Sequence, residues 1–232
     1  MLILDLKTVP DPAAGKRLLA LEQFSDAETL LAMRTLRVAG QGHAEVPPHL
    51  CRVVAATLVH IEADRCSVQS FDACADEAAA LLALDAAIAA IAQPVFVWDG
   101  RQGARALLAA RALAWRLTLP QLLADDGPRC LSQHHALGTV PLSELAAVHG
   151  LPHRLGLLAD DIEPCAKAGA ARLRDGCAAD ALMTALLHLA LSVASGRMLP
   201  AQATASRRHI ADWLQAQSAA HWQSFYQHWN KA

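Results

Sequence analysis

The chain is expected to fold as an α/β domain, a mixed β-sheet flanked by α-helices with a helical appendage at its C-terminal end. Three observations predict it. A short apolar strand pattern stands at the N-terminus, from Leu2 to Thr8. Cys51–Ile61 is dense in β-branched residues and is followed by the alternating Cys66–Phe71, which reads as a hairpin. After that, helical and strand patterns alternate, as β-α-β crossovers require.

Taken in order, Leu2 to Thr8 alternates with period two, so Asp5 and Lys7 share one face and Leu4 and Leu6 the other. A charged pair on a core strand is unusual unless the strand end opens into a site. Ala13–Val38 reads as a helix with a loose apolar stripe, and Ala39–Pro48, rich in Gly, Pro and His, as a loop. The hairpin turn falls near Ala63-Asp64. Asp76–Ile91 is an amphipathic helix, Pro94–Trp98 a short buried strand, Asp99-Gly100 a turn, and Ala104–Leu117 the next helix. Asp125-Asp126-Gly127-Pro128 interrupts the chain before a weak strand or turn at Arg129–Ser132. Pro141–His149 is a short helix with Leu142 and Leu145 facing inward. Ala168–Ser195 is helical, in two pieces meeting near Gly176, and is ended by Gly196 and Pro200.

Apolar residues make up 54% of the 232, which argues against disorder and allows a sizeable core. A net charge of −2 gives no general attraction to nucleic acid, so any such binding needs a local patch. The N-terminus enters a strand directly, without the basic, apolar and cleavage segments of a signal peptide. The six cysteines include no C-x-x-C pair and read as free thiols, and the expected location is cytoplasmic. The apolar run Ala178–Ala194 is interrupted by polar residues and reads as too short and too polar for a membrane span.

Several segments carry a shared signature. Asp5-Leu6-Lys7-Thr8-Val9-Pro10-Asp11 resembles the motif Asp-x-Glu-Thr-Val-Pro-Asp. Val46-Pro47-Pro48-His49-Leu50-Cys51-Arg52-Val53-Val54-Ala55 resembles a Pro-x-x-His-x-x-Arg-Val-Val-Ala segment, with Val46 at the motif's first position. Leu142-Ser143-Glu144-Leu145-Ala146, Gly150-Leu151-Pro152 and Arg174-Asp175-Gly176-Cys177-Ala178-Ala179-Asp180 follow in the matching order. Together they resemble a family of 3′–5′ exonucleases with a ribonuclease H-like fold, related to the proofreading domain of family B DNA polymerases. The resemblance reaches to about Pro200. It implies a ribonuclease H-like domain over 1–200, with 201–232 as an aromatic-rich helix packed on it.

In such enzymes two divalent ions stabilise the attacking and leaving oxygens of the phosphodiester, and converging carboxylates hold them. The resemblance implies that Asp5 and Asp180 are remnant metal carboxylates. It also implies that Lys7 replaces the family Glu, Ala104 a family Asp, and Gly176 the Tyr that orients the water. The second motif aligns with Trp98-Asp99-Gly100-Arg101-Gln102-Gly103-Ala104, and Cys130–Gln133 contributes no acid. The expected protein is therefore exonuclease-like without two-metal hydrolysis, a pseudoenzyme binding single-stranded 3′ ends or acting in regulation or interaction. No metal or other cofactor is expected. Lys7 is expected to balance the charge of Asp5 and Asp180. The alternative is an active enzyme using Mg2+ or Mn2+ with relocated ligands, for which Asp99, Asp125, Asp126 and Asp175 are the nearest acids. A third reading is a protein-interaction module.

Trp98, Arg101 and Arg105 are candidate nucleic-acid contacts, with Arg111 and Arg116 further along the same helix; such charges are as often a solvated face. His134-His135 with Cys130, or His149 with His153, lack the spacing of a structural zinc site. Ser206–Asn230 reads as one helix carrying Trp213, Trp222, Phe225, Tyr226 and Trp229, half of the chain's ten aromatics. The last four share a face by i, i+3, i+4, i+7 spacing, which either docks on the core or offers a surface to a protein partner or a second copy.

Overall fold

The computed structural model describes residues 1–42, 45–62, 64–98, 103–125, 127–137, 140–153, 155–157 and 159–230. Five strands, β1 (Leu2–Pro10), β2 (Cys51–Ile61), β3 (Cys66–Asp72), β4 (Val95–Val97) and β5 (Arg129–Cys130), form one sheet in the order β3-β2-β1-β4-β5. β1, β2 and β3 pair antiparallel, and β4 and β5 continue parallel to β1. The apolar alternation along β1 sends Leu2 and Leu4 to one face of the sheet and Ile3 to the other.

The first face is covered by α3 (Glu77–Ile91) and α4 (Ala104–Trp115), through Leu81, Leu84 and Leu108. Beside them pack α1 (Pro12–Leu19) and α2 (Asp26–Gln41). The helix expected over Ala13–Val38 is thus two helices. Ala20 turns left-handed at the end of α1, and Ser25 and Glu28 close a capping box that restarts the chain as α2. The hairpin of β2 and β3 stands as expected, with Ile61 opposite Cys66; Ala63 of its turn lies outside the described residues, as do Asp99-Gly100.

The other face is covered by α8 (Ala170–Ala194), which lies across β1 and β2. α5 (Leu131–His134), α6 (Leu142–Val148) and α7 (Ala159–Ala168) surround it. The break expected near Gly176 lies instead at Gly169, whose φ of 135° suits only glycine. Gly176 is inside the continuous helix, where a Cβ would overlap Leu157, so its smallness serves packing. α8 is long and apolar enough by composition to cross a bilayer, contrary to the reading of its sequence as too short. However, 78% of its most apolar 18 residues are buried in this fold, as for a helix apolar on all sides inside a core.

Pro200 opens α9 (Pro200–Ala216) rather than merely ending α8, and the single C-terminal helix expected is two, α9 and α10 (Ala220–Trp229), separated at 217–219. Trp222, Phe225 and Trp229 are buried against α8 together with Ile210 and Leu214. Trp213 and Tyr226 pack partly against the same cluster. Trp222, Phe225 and Trp229 therefore complete the core, while Trp213 and Tyr226 stay half-exposed at its edge.

Candidate functional site

Asp5 and Lys7 lie on the face of β1 that meets α8, and one helical turn of α8 supplies Cys177 and Asp180 on the facing side. The ammonium of Lys7 sits between the two carboxylates, 2.9 Å from Asp5 Oδ2 and 2.6 Å from Asp180 Oδ2. Lys7 is only 8% exposed and Asp180 6%. The thiol of Cys177 donates to Asp5 Oδ2 at 3.2 Å. Burial by itself would lower the Lys7 pKa, but Asp180 and Asp5 reverse that and hold it above its ordinary value. Burial pushes the Asp5 carboxyl up, against the pull of Lys7 and with the repulsion of Asp180.

The outer side of this triad is sealed. Residues 155–157 lie against α8 so closely that a Cβ at Gly156 would overlap the Asp180 carboxylate. The Leu157 N–H points to Asp180 Oδ2 at 3.4 Å, and the Leu157 side chain covers Gly176. A pair of divalent ions needs several hard oxygen ligands around open coordination positions. Here two carboxylates already share a cation, and the backbone of Gly156 takes the space beside one of them. The residues present do not fit a two-metal centre.

The other sequence candidates are placed elsewhere. Ala104 opens α4 and packs in the cluster on the opposite face of the sheet from Asp5. Trp98 packs its ring against the α8 cluster; its buried indole Nε1 has no hydrogen-bond partner among the described residues. Arg105 is exposed but bonded to the 123–125 loop, 3.3 Å from Asp125 Oδ1. Arg101, with Asp99 and Asp126, lies outside the described residues. Asp175 faces Arg174 and His221 at 3.7 and 3.5 Å, away from any role beside Asp180. Neither Asp125 nor Asp175 joins Asp5 and Asp180.

Two polar clusters escaped the sequence reading. Arg111, read there as part of a solvated helix face, is 3% exposed. It binds Asp11 at 2.7 Å and Glu77 through two nitrogens at 2.6 and 2.9 Å. Glu77 also accepts from the backbone N–H of Val53 and from Trp115 Nε1. This network ties the start of α1, β2, α3 and α4 together and is structural. The second is a stack of His134, His135 and His188 around Phe96, with His135 Nε2 and His188 Nδ1 at 3.2 Å. No spacing in the sequence pairs residues so far apart. Among the described residues no three His, Cys, Asp or Glu side chains are grouped to hold a metal ion, His134, His135 and His153 included.

An antiparallel hairpin beside a parallel pair, in the order β3-β2-β1-β4-β5 with a long helix across its centre, defines an α/β domain consistent with the ribonuclease H-like fold. Residues 124–229 match the model of a family described as predicted 3′–5′ exonucleases related to the exonuclease domain of PolB. That is the family the motifs on β1 and α8 resemble, and the match covers a little under half of the chain. The matched stretch includes Asp180, whereas Asp5 and Lys7 precede it. No curated protein and no solved structure matches the chain.

Proposed function

We propose that this chain is a catalytically silent member of the exonuclease type, one that engages single-stranded 3′ ends or a regulatory partner without hydrolysing phosphodiesters. The observation that carries this reading is the Lys7 ammonium between Asp5 and Asp180. Two-metal hydrolysis draws most of its transition-state stabilisation from the ions. A buried lysine in their place supplies charge balance for the carboxylates but neither activates water nor leaves a position for substrate oxygen. The strap of residues 155–157 over Asp180 supports the same conclusion.

A labelled single-stranded oligonucleotide incubated with the chain and Mg2+ or Mn2+ tests the reading. The expected result is no 3′ trimming, together with oligonucleotide binding that weakens as salt rises. Trimming that disappears in Asp5→Ala would show an active enzyme and overturn the proposal. If binding is also absent, the nucleic-acid part of the proposal fails and the regulatory role remains.

A further inference from the structure

We propose that the α1–α2 hairpin holds a binding site for a small aliphatic carboxylate, independent of the nuclease reading. A cavity of about 280 Å³ opens there, walled by Leu19, Met33, Leu36, Val46 and Leu50, with Arg37 as its one charged lining residue. A dry apolar cavity of roughly 150 Å³ takes benzene, so the same ratio gives this one room for about eleven heavy atoms. Octanoate, with an eight-carbon chain and two oxygens, falls within that room.

The two helices that form most of the cavity are held against each other. Gly15 brings α1 so close to α2 that a Cβ would overlap Met33, and Lys16 pairs with Asp26 at 2.7 Å across the same hairpin. Arg34, one turn earlier on α2, is held by Glu163. Arg37 has no ion pair or side-chain hydrogen bond among the described residues. A leucine-rich cavity lined by one arginine, unpaired among the described residues, suits an apolar body carrying one negative charge, because the fork of guanidinium donors matches a carboxylate.

Calorimetric titration of the full chain with sodium octanoate tests the site. Saturable one-to-one binding is expected, weakened about tenfold in Arg37→Gln and for octan-1-ol, the loss of a charge-assisted hydrogen bond. Gly40 also lines the cavity, and a Cβ there meets nothing within 4 Å. Gly40→Leu should therefore fold, with unchanged or higher melting temperature, while filling the space and abolishing binding. No saturable binding, equal binding of octan-1-ol, or binding that survives both substitutions overturns the proposal.

Discussion

Lys7 brings one positive charge into a pocket that holds two carboxylates, and all three groups are nearly out of water. Removing one member of a buried ionic set leaves an uncompensated charge and typically costs about 3–5 kcal/mol. Lys7→Met should lower the unfolding free energy by about that amount, read by denaturant titration. Adding Asp5→Asn and Asp180→Asn to it should return most of the loss, because the charges then leave together. Lys7→Glu restores the family residue but crowds three carboxylates, and it should be less stable than Lys7→Met without gaining nuclease activity. At Gly156 the argument is steric: Gly156→Ala pushes a methyl into Asp180, and overpacking of this kind costs about 1–3 kcal/mol. A melting temperature unchanged by Gly156→Ala would show that the strap lifts freely from α8.

At the scale of elements, α5 is fastened to α8 by histidines in their neutral form. Burial pushes the His188 pKa down to about 4, with His135, His134 and Arg197 adding repulsion. A histidine whose folded pKa lies below its unfolded value of about 6.5 binds fewer protons in the folded state. Its contribution is full above pH 6.5 and is lost as pH falls toward 4, on the order of 3 kcal/mol across that window. Unfolding free energy measured from pH 7 to pH 4 should fall accordingly, and His188→Phe should flatten that slope. α10 is held by burial: Phe225→Ala should cost about 3–5 kcal/mol, the usual penalty for emptying an aromatic core position. The strand pairs and most helices were legible because alternation and capping are local. The break at Ser25, written as Ser-x-x-Glu, is also local, but the apolar stripe that runs on across it masks it. α7 and the joint at 217–219 were not legible, since their boundaries answer to packing on α8. Asp5, Lys7 and Asp180 could be named from the motifs, but the ammonium's reach to both acids depends on how α8 crosses β1.

Across the whole molecule, the changes at the carboxylate site are linked through one piece of backbone. The ring expected at position 176 is absent, and Leu157 lies where a side chain there would project. Gly156 beside it rests on Asp180, whose other neighbour is Lys7. The lysine balances both acids, and the strap occupies the space beside Asp180, so each of these features packs against the next. Restoring the family residues therefore does not restore the site. The variant Lys7→Glu with Ala104→Asp and Gly176→Tyr supplies the side chains that two-metal chemistry asks for. Its tyrosine must still displace Leu157, and its aspartate starts from a helix packed against the opposite face of the sheet. The triple variant should show no Mn2+-dependent trimming of a labelled oligonucleotide above the unaltered chain, and it should melt lower. Adding Leu157→Gly relieves the clash, so any activity should emerge first in that fourfold variant. Trimming by the triple variant alone would mean that the strap moves aside on its own.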